Sequence, residues 1–246
     1  CDMKKIYKLS QKYGFKIIED ASHALGAIDD GCKIGSCKYS DITIFSFHPV
    51  KPITTGEGGM AMTNNISLME NMRLRSSHGI TRDREKMTKD TEGPWYYQQL
   101  ILGFNYRMTD IQAALGLSQL RKLDQFITKR AQIAKEYDKN LEKLPLQLPP
   151  RSNKKTSSHH LYIVRWQSKK TTHGTAFRNL KDMNIPVNLH YIPVHLQPFY
   201  QELGFQKGDF PNAERYYSEA ISLPINTKMN KSDIELVTQK IKEVLR

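Results

Sequence analysis

Apolar residues recur along the chain at two spacings, one helical and one extended. Met3, Ile6, Tyr7 and Leu9 follow the spacing of an amphipathic helix that Gly14 is placed to end. Phe15 to Asp20 is then an apolar strand closed by a carboxylate, and Ile42 to Phe47 is a second. Met60 to Thr63 forms a short strand between Gly59 and Asn64, and Ile66 to Ser76 a helix. Helix and strand alternating to about residue 108 predict an α/β fold on a parallel-rich sheet with crossover helices. Residues 81–99 are charged and polar, with Gly93-Pro94 before Trp95, Tyr96 and Tyr97, and predict a loop carrying an aromatic anchor.

Thr109-Asp110-Ile111-Gln112 has the spacing of a capping box. Ile111, Leu115, Leu117, Leu120, Leu123 and Ile127 extend the helix behind it, with room for a break, to about Leu144. Pro145 to Ser158, with Pro149-Pro150, is the natural boundary, dividing a larger domain at 1–144 from a small α+β domain at 145–246. In the second, strands are expected at Leu161 to Trp166 and near Val187 to His190. Helices are expected near Thr175 to Met183, at Ala213 to Ala220, and from a second capping box, Ser232-x-x-Glu235.

Composition narrows the function. No apolar run approaches the roughly 20 residues of a membrane span, and no signal-peptide pattern opens the chain, so the cytoplasm is the expected location. Lys and Arg number 37 against 25 Asp and Glu, a net charge of +12. The basic residues are dispersed, the densest groups being the dipeptides Lys154-Lys155 and Lys169-Lys170, which favours a solvated surface over a nucleic-acid groove. Cys1, Cys32 and Cys37 form neither a disulfide framework nor a zinc ribbon and are expected as reduced thiols. His159, His160 and His173 are expected at the surface, and no histidine spacing predicts a metal. The chain opens on a helix without a methionine, which predicts the later part of a longer protein.

The candidate chemistry lies at Asp20 and Lys51. The acid falls at the carboxyl end of a strand, where open α/β sheets bind ligands. The lysine follows the next apolar strand in His48-Pro49-Val50-Lys51-Pro52-Ile53-Thr54-Thr55-Gly56-Glu57-Gly58-Gly59. Prolines restrict the backbone on both sides, and the glycines permit close approach. Pyridoxal phosphate (PLP) chemistry needs such a pair, an amine to condense with the cofactor aldehyde and a carboxylate to keep the ring nitrogen protonated.

Three ordered motifs, Ile18 to Ala27, Phe45 to Gly59, and Gly103-Phe104-Asn105-Tyr106-Arg107-Met108-Thr109-Asp110, resemble the sugar-nucleotide aminotransferases of the DegT/StrS type. The resemblance implies the fold of PLP-dependent, aspartate aminotransferase-like transferases. It implies Lys51 as the cofactor-bearing lysine and proton carrier, Asp20 on the ring nitrogen, and His23 beside the ring. Ser46 would contact the cofactor phosphate, and Asn105 would reach that phosphate from a second subunit, implying a homodimer. Arg107, His190, Tyr191 and His195 are candidates for a UDP-linked 4-keto sugar, glutamate being the implied amino donor. His48 to Ile53, Glu92 to Tyr97 and His190 to Pro198 point, within that resemblance, to amination at C4 for pseudaminic acid biosynthesis. A lysine at position 51 separates it from the related dehydratases, which carry histidine there. The upstream third of such proteins, with its phosphate-binding segment and ring-stacking aromatic, has no counterpart here, so the alternatives are an inactive remnant or another PLP sugar enzyme of the family acting on a different nucleotide sugar.

Overall fold

The computed structural model describes residues 1–152 and 155–246. They form two compact units: Cys1–Leu123 with the strand Lys155–Thr156, and the remainder from Asp124 onward.

In the first unit, α1 (Met3–Tyr13) is capped by Asp2, whose carboxylate accepts the Lys5 N–H. It ends where Gly14 turns left-handed (φ 74°) and donates to the Ser10 carbonyl. β1 is limited to Ile18–Asp20, because the Ile17 N–H is taken by the Asp41 carboxylate at 2.9 Å. The chain then runs through β2 (Ile28–Asp29) and β3 (Cys32–Lys33), an antiparallel pair that Lys155–Thr156 joins. This irregular crossover replaces the expected helix. β4 (Ile42–Ser46) lies parallel to β1, with Asp20 opposite Ile44. β5 (Gly59–Met62) is antiparallel on its other side, so the sheet has one parallel and one antiparallel pairing.

α2 occupies Ile66–Ser76, as its pattern predicts. Residues 81–99 are more than a loop: β6 (Ile80–Thr81) pairs with β7 (Gln98–Gln99), and a 3-10 turn spans Arg84–Lys86. Tyr96 is half-buried and accepts from the Gln98 amide, whereas Trp95 is 70% exposed and anchors nothing here. α3 (Asp110–Leu120) starts at the predicted Thr109–Gln112 box.

The second unit begins within the helical stretch, not in the proline-bearing segment. α4 (Leu123–Leu141) sends Ile133, Ala134, Tyr137 and Leu141 into the same core as the strands beyond residue 145. β8 (Leu146–Gln147), β10 (Tyr162–Trp166) and β11 (Ala220–Leu223) make an antiparallel sheet ordered β11-β10-β8, β9 being Lys155–Thr156. Packed with it are α5 (His173–Asp182) and α8 (Lys231–Val244), while α6 (Pro198–Glu202) and α7 (Pro211–Tyr217) are short. Tyr137 and Tyr162 are wholly buried, donating to the Pro224 carbonyl and the Asp138 carboxylate. Buried Arg130 donates to the carbonyls of His159, His160 and Ile225. His160 is buried, and His159 and His173 are half-buried, so the surface expectation fails for them.

Candidate active site

The carboxylate of Asp20 turns back on its own chain and accepts the Ser22 N–H at 3.0 Å. Hydrogen bonding from the Ser22 side chain, then from this N–H, with smaller contributions from the charges of His23 and Lys51, holds its pKa below the ordinary carboxylate value. Lys51 is half-buried, and loss of solvation pushes its pKa down, only partly opposed by the Asp20 charge. Strand end and loop thus bring His23 and Lys51 each within electrostatic reach of Asp20.

The loop holding Lys51 is closed at its base. Phe47 donates its N–H to the Gly58 carbonyl (2.8 Å), and its own carbonyl accepts the Thr55 N–H (3.0 Å) and the Thr54 hydroxyl (2.9 Å). Pro52, Ile53 and Thr55 are buried beneath it. Gly59 permits the return into β5, since a Cβ there would lie 2.7 Å from the Phe45 carbonyl oxygen. Gln112 adds a brace: besides completing the cap of α3, its side-chain amide donates to the Glu57 carbonyl at 3.1 Å. The Thr-x-x-Gln spacing revealed the cap, but nothing in the sequence marks the second contact. Ser22 was likewise not foreseen, although Asp-x-Ser is a recognisable turn pattern.

Ser46 ends β4 half-buried, its hydroxyl facing the His48 N–H at 3.4 Å. Asn105 and Arg107 gather elsewhere in this unit, around Ser77. Asn105 forms a β-bridge with it, and the Arg107 guanidinium donates to its hydroxyl at 3.1 Å. His190, Tyr191 and His195 belong to the second unit. His190 Nδ1 lies 2.7 Å from the Ser222 hydroxyl, Tyr191 is 61% exposed, and His195 is buried with Nε2 at 2.9 Å from Glu214. Among the described residues no group of three or more His, Cys, Asp or Glu could hold a metal ion, and no helix is long and apolar enough to cross a membrane.

A strand-end acid and an amine of lowered pKa on the loop after the next strand suit PLP, because the two shifts favour a charged carboxylate for the ring nitrogen and a neutral amine for the aldehyde. The arrangement is that of a PLP-dependent transferase fold. The chain belongs to the DegT/DnrJ/EryC1/StrS aminotransferase family, whose signature matches residues 1–242. It is 38% identical over 246 residues to the UDP-4-amino-4,6-dideoxy-N-acetyl-beta-L-altrosamine transaminase of Campylobacter jejuni, a match covering 99% of this chain and 62% of that one. Among solved structures it is similar to Helicobacter pylori PseC, an aminotransferase involved in the biosynthesis of pseudoaminic acid. There the TM-score is 0.89 and the identity 31%, covering 100% of this chain and 63% of PseC. It is also similar to the PLP-form of Spr1654 from Streptococcus pneumoniae, with TM-score 0.86 and 27% identity over 99% of this chain and 65% of that one. The chain therefore spans less than two thirds of the length of each of these relatives.

Proposed function

We propose that this chain carries the lysine-bearing part of a PLP-dependent aminotransferase that aminates C4 of a 4-keto-6-deoxy UDP-N-acetyl sugar, with glutamate as donor. The similarity to the altrosamine transaminase and to PseC supports that substrate class. The observation that carries the reading is the pairing, across strand end and loop, of an acid whose charged form is favoured with a half-buried lysine whose neutral form is favoured. When bound, PLP supplies an electron sink that stabilises negative charge at the carbon bearing the transferred nitrogen.

The rest is the work of the chain. Burial raises the neutral fraction of the Lys51 amine, which makes it both a nucleophile toward the cofactor aldehyde and a base for the proton at the reacting carbon. Asp20, kept ionised, would hold the ring nitrogen of the bound cofactor protonated. His23 stands beside that pair, and Ser46 offers a hydroxyl for the phosphate. Asn105 would bring its side-chain amide to that phosphate from a partner copy in a homodimer, and Arg107 in the first unit and His190 and Tyr191 in the second are each candidate contacts for the sugar nucleotide.

The test is the visible spectrum of the purified chain with PLP, before and after borohydride, followed by peptide mapping. The expected result is a cofactor band that, once reduced, maps to Lys51 and is absent from Lys51→Ala. An unchanged band in that variant would remove Lys51 from the site.

A further inference from the structure

Residues 190–210 form an excursion of the second unit with little regular structure to hold it. Every backbone hydrogen bond made within 194–209, among the described residues, reaches no further than five positions along the chain. Phe199 is 65% exposed and Leu203 64%, so the helix between the two turns adds little apolar burial of its own.

One polar knot ties its two ends. His195, 7% exposed, directs Nε2 at Glu214 Oε1, 2.9 Å away, and the same oxygen accepts the Gly208 N–H at 2.7 Å. The two donors hold the Glu214 carboxyl ionised, its pKa below the ordinary value, so His195 Nε2 carries the hydrogen. Phe210 packs its ring 4.8 Å from the imidazole, closing the knot from the side. Glu214 is thus bonded at once to the turn before α6, to the turn after it, and through its backbone to α7.

We infer that His195 and Glu214 form a latch that positions the 190–210 excursion, making His195 a positioning residue and not a sugar-nucleotide contact. The inference rests on the aminotransferase reading only for what the excursion serves, the presentation of His190 and Tyr191 to substrate. The latch itself is a property of the fold. A ring buried to this degree, with its donor already spent on a carboxylate, has little left to offer a ligand.

Hydrogen exchange read by mass spectrometry on the full chain tests the latch without substrate or cofactor. His195→Ala and Glu214→Ala should each speed exchange across 196–209 by roughly tenfold, the factor expected for loss of a charge-assisted hydrogen bond. The double variant should be no faster than either single, and His195→Gln, whose amide can still donate, should restore most of the protection. Exchange unchanged in Glu214→Ala, or single effects that multiply in the double variant, would overturn the latch. If truncation strips protection from β10 and β11 as well, His195→Phe, which keeps a buried ring but has no donor, replaces it: faster exchange confined to 196–209 supports the latch, and wild-type exchange overturns it. In turnover with a UDP-linked keto sugar, both Ala variants should raise KM in parallel. A rise in His195→Ala alone would make His195 a substrate contact. Because exchange is measured without cofactor, its outcome is independent of the spectrum that tests Lys51.

Discussion

Asp20 gives up its proton more readily than a free aspartate because hydrogen bonding from the Ser22 side chain and N–H, with nearby positive charge, favours the carboxylate. A folded pKa below the unfolded value, about 3.9, means that the group stabilises the fold above that pH. The contribution fades as pH falls from there through the folded pKa. Asp20→Asn should therefore flatten the acid limb of the stability profile below about pH 4, checked by urea midpoints at stepped pH. A variant as acid-sensitive as the native chain would show that the Ser22 contact does not tune this carboxyl. Lys51 has the opposite sense, since burial penalises its charged form and the fold bears that cost until the proton leaves. Both residues stand out as candidates in the sequence, because a strand-end acid and a Pro-flanked, Gly-followed lysine are local patterns. The environments that set their charges are not legible there, since they depend on Ser22 and on the packing under Pro52, Ile53 and Thr55.

The loop between β4 and β5 needs its glycines for different reasons, and substitution separates them. A Cβ at Gly59 would press on the Phe45 carbonyl at 2.7 Å, where backbone has little freedom to yield, while one at Gly56 meets nothing within 4 Å and faces only a left-handed φ of 80°. Gly59→Ala should cost about 1–3 kcal/mol and weaken the cofactor band. Gly56→Ala should cost about 1–2 kcal/mol and leave the band closer to native, both read by urea unfolding and PLP titration. Equal loss of the band would mean that strand register does not control the lysine. Helices with side-chain caps were the most legible elements: α2 has its predicted limits, and α3 starts at its predicted cap. α8 begins two residues before the Ser232 box would start it, because Asn230 and Asp233 exchange the capping bonds instead. β11 escaped notice because Ala-Ile-Ser-Leu is buried on both faces and shows no alternation, and its neighbour near 187–190 is reduced to a single bridge at Asn188.

The two units differ in how they are stabilised. The second has a continuous core around Tyr137, Tyr162, Leu180, Ile221 and Ile241, all fully buried. Ile241→Ala should destabilise it by about 2–5 kcal/mol in urea unfolding, whereas a cost under about 1 kcal/mol would mean that the core collapses to fill the gap. The first unit buries fewer large apolar groups, among them Ile17, Phe45, Phe47 and Ile53, and leaves Ile18, Met60, Leu102 and Ile111 exposed. A boundary after Leu144 was the natural sequence choice because proline punctuates there, but the apolar face of α4 belongs with the later strands. Gln112 shows how such constraints cross the molecule. Glutamate serves a capping box as well as glutamine does, so helix rules alone would permit the exchange. A carboxylate has no hydrogen to give the Glu57 carbonyl, however, and would set like partial charges face to face. Sequence drift at position 112 is therefore policed by the lysine loop 55 residues earlier, and an engineer idealising α3 would loosen that loop while every helical criterion improved.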